Sequence, residues 1–335
     1  MTVEVIAGGT LTTLQDLGRF GFAAQGFGSS GACDKHAMRL ANALLGNALA
    51  TAVLECTLLG STLRFSEASL VAVAGGMPTI TLNDEPVSAY RPIPVQAGDV
   101  LHIGLIANGL RSYVAFSGGI NTPLFMGSRA TDLRTGIGGL HGRALTAHDL
   151  LPIKSDARSL RRFLHTLPDK LTILDKMDCF HWMAHTLGPF RYIGAQKTAL
   201  VRCVLGPQAA YFTQKGLDTF ANSLYEVTVD SNRMACKLRG AKIEAVSGFD
   251  IISDGIMEGS VQVSAEGQPL VMLADHQTTG GYAKIATIIS VDIPTLAQLR
   301  PGDAVAFRYV SSQEALLAIR EENAMLCKIK ELMSR

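Results

Sequence analysis

Short apolar runs, each closed by a cluster of turn-forming residues, recur along most of this chain. Leu54–Leu58, Thr62–Phe65, Leu70–Ala74, Thr79–Leu82 and Val100–Ile103 are brief and β-prone, and the spacing predicts a strand at each. Gly75-Gly76-Met77-Pro78, Asn83-Asp84 and Ala97-Gly98-Asp99 read as the turns between them. Arg111–Ser117 follows as a further strand. A second β-rich region runs from Thr198 to Val310, with strands expected at Thr198–Leu205, Tyr225–Val229, Pro269–Ala274 and Ile285–Ile289. Within and after the β-rich regions, helical periodicity stands out in two places. Ala37, Leu40, Ala41, Leu44 and Leu45 recur at helical spacing, with Asp34 placed to cap the start and Gly46 to close the end. The tail opens on Ser311-Ser312-Gln313-Glu314, a capping-box pattern, and carries an apolar stripe at Leu316, Leu317, Met325, Leu326, Ile329 and Met333. So many short, punctuated strands predict an antiparallel barrel or sandwich and argue against a doubly wound sheet.

Residues 154–198 break this pattern. They are charged at first, hold the single tryptophan, Trp182, and include a helical-looking Asp178–Leu187. They read as a connection between two β domains. The expected organisation is therefore residues 1–155 as one β domain, 156–198 as a connecting segment, 199–312 as a second β domain and 313–335 as a C-terminal helix. A faint internal echo supports two related halves. Ala97-Gly98-Asp99 and Pro301-Gly302-Asp303 each place a Gly-Asp turn before a strand near the end of a half.

Composition narrows the function. At 335 residues the chain is long for one core, which independently favours two domains. Its 30 Lys+Arg nearly balance 29 Asp+Glu, which argues against a nucleic-acid or anionic-membrane surface. The six cysteines show no C-x-x-C and no regular spacing, as expected of free thiols in a reducing cytosol. The start carries no basic, apolar leader pattern, and no stretch is long and apolar enough to span a bilayer, so a cytoplasmic location is expected.

Candidate chemistry sits in polar loops between the apolar runs. Asp275-His276-Gln277-Thr278-Thr279-Gly280-Gly281-Tyr282 lies between two expected core strands and packs a carboxylate, an imidazole, a carboxamide, two hydroxyls and a phenol around a glycine pair. Paired glycines let backbone N–H groups form an anion-binding concavity, although a hydrogen-bonded hairpin turn would also use them. Gln15-Asp16-Leu17-Gly18-Arg19 sets a carboxylate three residues from a guanidinium, either as a structural clasp or as a fork for a ligand anion. Ser231-Asn232-Arg233-Met234 presents another arginine after a strand, with a surface arginine bonding loop carbonyls as the alternative. Gly136-Ile137-Gly138-Gly139 is not G-x-G-x-x-G and lacks a βαβ setting, so dinucleotide binding is rejected. Cys179-x-His181-x-x-x-His185 lacks a convincing fourth ligand, and no metal is expected. No G-x-S-x-G elbow and no P-loop occur.

Taken together the motifs resemble one family, that of the C subunit of bacterial ATP-dependent 5-oxoprolinase, also called allophanate hydrolase subunit 2 or the biotin-dependent carboxyltransferase family. The resemblance rests on Leu11–Arg19, Ser30-Gly31-Ala32-Cys33-Asp34, Ala41–Asn47 and Leu54-Glu55-Cys56-Thr57. It continues through Gly127-Ser128-Arg129-Ala130-Thr131-Asp132-Leu133, Ser231–Met234, Gly259-Ser260-Val261-Gln262-Val263 and Ala274–Tyr282. The chain departs from the family pattern at Ala235, where glycine is usual, and at Ala283, where proline is usual.

The resemblance implies a mainly β fold of two cyclophilin-like β-barrel domains with a few short helices and a C-terminal helix. It implies one component of an ATP-dependent lactam hydrolase, inactive alone. Its partners would be a B subunit (allophanate hydrolase subunit 1-like) and an A subunit, and together they would open 5-oxo-L-proline to L-glutamate. Arg233, Asp275 and His276 are then the expected catalytic residues. Gln15, Asp16, Arg19, Ser128, Arg129, Gln262, Gln277, Thr278, Thr279, Gly280, Gly281 and Tyr282 are expected to bind substrate or an anion. ATP is the implied cofactor, bound by this chain or by a partner. Two other readings stay open. One is carboxyl transfer from carboxybiotin to a urea- or amide-like acceptor; the chain has no Met-Lys-Met motif, so the biotin would arrive on another protein. The other is a non-enzymatic partner of the B subunit that regulates a sensor kinase.

Overall fold

The structure is a computed structural model and describes residues 1–154, 157–176, 190–193 and 196–334. The chain divides into two compact units, one of Met1–Arg19, Ser30–Thr186 and Asn323–Arg335, the other of Phe20–Ser29 and Leu187–Glu322. Both are built from strands, with five α-helices among the described residues.

In the first unit, β2 (Leu11–Gln15), β3 (Val53–Thr57), β8 (Val100–Phe116), β4 (Thr62–Phe65), β1 (Thr2–Ala7) and β9 (Leu150–Pro152) lie side by side in that order. Alongside β8 runs β5 (Ser69–Leu82), which also carries β6 (Glu85–Pro86) and β7 (Pro92–Val95). The residues after Ala144 bridge the gap between β1 and β2: Leu145 N donates to Thr12 O at 2.9 Å and His148 N to Val5 O at 2.8 Å. The result is a half-barrel sheet whose rim is completed by irregular backbone.

Leu70–Ala74 shows no polar alternation because both faces of β5 are covered. Val71 and Val73 point into a core with Val5, Leu54, Phe65 and Phe116. Leu70, Ala72 and Ala74 point the other way, onto Leu40 and Leu44 of α1 (Lys35–Leu44). Full burial of each leucine is worth about 1.5–3 kcal/mol, so this second face ties the helix firmly to the sheet. Asp34 caps α1 by accepting from Ala37 N at 2.7 Å, and Gly46 follows its end at φ 68°. The stretch read as a connection begins as α2 (Ala157–Lys176), which buries Leu167 and Leu174 in the same cluster. Trp182 and Asp178–Leu187 lie outside the described residues.

One expected turn is absent. Gly75–Pro78 does not end a strand; β5 runs through it as a single bent strand, and β8 likewise joins the expected strands Val100–Ile103 and Arg111–Ser117 into one. The reason is a set of bulges: the β5–β8 register shifts between Gly75 and Met77, between Met77 and Pro78, and between Pro78 and Ile80. A bulge accommodates Pro78, which cannot donate to the ladder, and bends the pair without breaking it.

The second unit closes completely. β11 (Gln196–Leu205), β18 (Lys284–Ile288), β15 (Ser260–Val263), β16 (Pro269–Met272), β13 (Ala235–Gly240), β12 (Tyr225–Val227) and β19 (Ala304–Tyr309) form a ring, closed by parallel pairing of β19 with β11. Closure leaves none of these seven strands as an open edge. Phe220 from α3 (Gln214–Asn222) stacks on Phe307 at 4.4 Å and fills the core beside Tyr225. β10 (Phe190–Ile193) extends β11, and α4 (Ile293–Ala297) is a short turn of helix near the ring. Outside the ring, β14 (Asp250–Gly255) and β17 (Thr279–Tyr282) make a separate two-stranded sheet.

The final helix, α5 (Ser312–Ser334), starts on the expected capping box: Glu314 N donates to Ser311 Oγ, and Glu314 Oε2 accepts from Ser311 N at 2.7 Å. Its stripe is only half as predicted. Leu326, Ile329 and Met333 are buried, but Leu316 and Leu317 are 53% and 55% exposed. The expected mainly β architecture with a C-terminal helix is what the structure shows. Among the described residues no helix is long and apolar enough to cross a membrane.

Candidate functional site

The expected site residues fall into two groups, one per unit. In the first unit, the end of β2 meets the glycine-rich loop of residues 127–139. Asp16 is buried and its carboxylate accepts from Gly18 N (2.8 Å), Ser128 Oγ (2.7 Å) and Arg129 N (2.6 Å). Gln15 is buried beside it, donating to Thr131 O and Thr13 Oγ1. Arg19, 2% exposed, donates from Nη2 to Ala130 O, and Arg129 donates from Nε to Thr122 O at 2.7 Å. Gln15, Asp16, Arg19, Ser128 and Arg129 are thus brought together, and each hydrogen bond given above is to a partner inside the protein. Asp16 thus ties the end of β2 to the 127–139 loop, and Arg19 is bonded to the backbone of that same loop.

A second buried network lies one strand away, and sequence reasoning passed over it. Glu55 on β3 opposes Tyr113 on β8 in register. Its Oε2 accepts from Tyr113 Oη and Cys33 N, both at 2.9 Å, and Oε1 lies 3.7 Å from Arg111 Nε. Burial, then the charges of Glu55 and Asp34, push the Tyr113 phenol well above its ordinary range, which keeps it a neutral donor. The available signal was a lone charge inside the apolar run Val53-Leu54-Glu55-Cys56.

In the second unit, Asn232 shapes the loop before β13 by accepting from Met234 N (2.8 Å) and Ala235 N (3.3 Å). That turn presents Arg233 to Asp275. The guanidinium grips the carboxylate as a fork, Nε–Oδ2 at 2.8 Å and Nη2–Oδ1 at 3.0 Å, with the side chains 7% and 15% exposed. Asp275 N also donates to Arg233 O, so the two loops are stitched at both side chain and backbone. Asp275 and Arg233, both expected catalytic residues, form one ion pair.

His276 Nδ1 lies 2.7 Å from Gln277 O. A carbonyl only accepts, so Nδ1 carries a proton, and in the neutral tautomer Nε2 is the acceptor. The expected polar loop is a strand in its second half: Thr279–Tyr282 pairs with β14. Gly280 has a steric reason to lack a side chain, since a Cβ there would come within 2.5 Å of Ile256 Cδ1 and 2.8 Å of Gln262 Nε2. Gly281 has more room, with Ile251 O the nearest atom at 3.5 Å. Gln262 donates to Tyr282 O at 3.1 Å, while Gln277 and Thr279 are exposed and Thr278 O accepts from Ile256 N.

A buried lysine completes this group and was not singled out. Lys284 Nζ donates to Asp254 Oδ2 at 2.6 Å and to Gly255 O at 3.0 Å. The ammonium holds the Asp254 carboxyl below its ordinary range. None of the expected site residues lines either of two cavities found among the described residues. One, of about 330 Å³, lies between Asn47, Lys170 and Met333 of the first unit; the other, of about 690 Å³, lies between Leu217, Tyr309 and Glu314 of the second. Among the described residues no group of His, Cys, Asp and Glu is arranged to hold a metal; Cys179, His181 and His185 lie outside them.

A half-barrel sheet and a closed barrel, each with a polar loop that holds a buried arginine, define a mainly β protein of two barrel-like units. Comparison places it more narrowly: residues 25–309 match the profile described as "Carboxyltransferase domain, subdomain A and B", and the chain belongs to that family. It is 35% identical to the 5-oxoprolinase C subunit of Escherichia coli over 96% of this chain and 95% of that protein. It is 33% identical to the 5-oxoprolinase C subunit of Haemophilus influenzae over 99% and 98%. Urea amidolyase of Lachancea kluyveri is 28% identical over 93% of this chain, which spans 17% of that protein. Among solved structures, the Kluyveromyces lactis urea carboxylase matches with a TM-score of 0.83 and 25% identity, over 98% of this chain and 29% of that one.

Proposed function

We propose that this chain serves as the C-type subunit of an ATP-dependent 5-oxoprolinase, acting with A-type and B-type partners to hydrolyse 5-oxo-L-proline to L-glutamate. The observation that carries this reading is the near end-to-end match to two proteins named as that subunit, 95% and 98% of whose lengths are covered. An unactivated lactam is a poor electrophile. Phosphorylating its amide oxygen makes the ring carbon electrophilic; water adds there, the C–N bond breaks with a proton delivered to nitrogen, and a second water splits the resulting acyl phosphate into glutamate and inorganic phosphate.

The second unit's loops supply groups of the right kind. Arg233, held by Asp275, is a fixed cation for the oxygens that gain negative charge, and the Gly281 backbone amide is a second candidate donor in the same loop. His276, with Nδ1 committed to Gln277 O, offers Nε2 to take the proton of the attacking water. Asp275 is a weaker base than His276, because both its oxygens already accept from Arg233. The loops do not fit a magnesium–triphosphate: Asp16, Glu55 and Asp275 each hold internal donors. We therefore place ATP on a partner and assign this chain no nucleotide step.

Carboxyl transfer from a carboxybiotin carried by another protein is the second reading, favoured by the TM-score of 0.83 with urea carboxylase. The same cation and amide would then face a transferable carboxylate. Co-expression with the A-type and B-type partners, followed by an assay of glutamate formation with and without ATP, separates the two. ATP-dependent glutamate is the expected result. A well-formed complex with no turnover overturns the proposal, and dependence on a biotinyl protein supports the alternative.

A further inference from the structure

Ile252 is 94% exposed, on a strand whose neighbours are fixed in place. The cause is a bulge. On the β14–β17 pair, Asp250 faces Tyr282 and Asp254 faces Gly280, so Ile251, Ile252 and Ser253 together oppose Gly281 alone. Ile251 packs against the barrel core, and Ile252 is pushed outward. Bulges re-aim side chains beside functional backbone, and Ile251 O and Ser253 Oγ lie 3.5 and 3.9 Å from the Cβ position of Gly281.

The bulge is anchored. Lys284 Nζ holds Asp254 Oδ2 and Gly255 O at its C-terminal end, Gln208 Nε2 adds a bond to Asp254 at 3.2 Å, and Ala283 N donates to Phe249 O at the other end. A rigid, solvent-facing apolar side chain of this size has the form of an interface anchor. Asp250 and Asp254 flank it, both exposed; Asp254 is paired with Lys284, so Asp250 is the carboxylate that can meet a partner's cation.

We propose that Ile252 is a docking knob that enters an apolar pocket rimmed by Lys or Arg on a partner protein, and so sets that partner against Gly281. This rests on the 5-oxoprolinase reading above. The test measures binding of the intact chain to its B-type partner by calorimetry, with hydrogen exchange read over residues 250–255. Ile252→Arg should weaken binding at least about tenfold and Asp250→Lys severalfold, while Leu224→Arg, exposed elsewhere on the same unit, leaves it unchanged. Binding should slow exchange at 250–255, and added salt should weaken it. Normal binding by Ile252→Arg with no protection at 250–255 overturns the knob and leaves the enzyme reading standing. Failure of the wild-type chain to bind the B-type partner overturns both. Self-association of wild type that Ile252→Arg abolishes makes the occupant a second copy and overturns the proposal in this form.

Discussion

Asp16 and Asp275 are both carboxylates in loops beside arginine, yet the protein uses them oppositely. Asp16 accepts from two backbone N–H groups and a serine hydroxyl, so its charge is spent on shaping two loops of the first unit. Asp275 accepts from both arms of one guanidinium, so its charge is spent on aiming a cation. The first arrangement is architecture. The second leaves an oriented, partly exposed ion pair that can meet a ligand. Similar residue types in similar turns thus support different inferences once their donors are known.

Removing each carboxylate's partners should separate the roles. Asp16→Ala leaves one buried and two half-buried donors without their acceptor and should cost about 2–3 kcal/mol of stability, at about 1 per donor. Denaturant unfolding of the chain checks this, and an unchanged midpoint would erase the contrast. Arg233→Ala should do the reverse, lowering activity of the assembled complex about a hundredfold with a smaller change in unfolding midpoint. Arg233→Lys should not restore the rate, because an ammonium cannot grip both oxygens of Asp275 as a fork. Full activity in either variant would remove the second unit's claim to the chemistry.

Much of the contrast was legible in the sequence, but not its sign. Periodicity placed most strands, and Asp34, Gly46 and Ser311–Glu314 marked helix ends that the structure uses as written. Gly75–Pro78 misled because a bulged strand and a turn need the same residues; only the partner strand decides between them. Glu55 and Lys284 were overlooked because each is a single charge within an apolar run, and their partners, Tyr113 and Asp254, lie 58 and 30 residues away. Gln15–Arg19 and Asp275–Tyr282 stood out as polar clusters, but hydrogen-bond direction is a long-range property that no local pattern encodes.

The first unit's reliance on carboxylates predicts acid sensitivity. Asp149 is held below its ordinary range first by hydrogen bonds from Arg143 and further by Thr146 N. A depressed folded-state value means that stability is fully present above the unfolded carboxyl's range, near pH 4, and is lost as pH falls through the folded value. Arg143→Ala should therefore flatten the acid limb of the stability–pH curve while changing stability at pH 7 modestly, since Arg143 is 43% exposed. An acid limb identical to wild type would show that this segment, which bridges β1 and β2, does not depend on the pair.

The smallest effect tests where the two units agree. Gly98 and Gly302 sit at φ 89° and 91°, each in a turn where the following aspartate's N–H bonds back three residues and its carboxylate accepts from that same residue's N–H. Gly98 N donates to Phe65 O and Gly302 N to Val227 O; Phe65 N and Val227 N return bonds to Asp99 O and Asp303 O. This set of bonds, repeated in both units, is the structural form of the echo between Ala97-Gly98-Asp99 and Pro301-Gly302-Asp303. Neither glycine has any atom within 4 Å of the place a Cβ would occupy, so alanine meets no clash and only the left-handed backbone is disfavoured. Gly98→Ala and Gly302→Ala should each cost about 1 kcal/mol, and by the same amount within error, when unfolding midpoints are compared. Unequal costs would mean that one turn is strained by its surroundings and that the likeness is local geometry without shared energetics. Equal costs would show that the units keep one turn in common even where their carboxylates have parted.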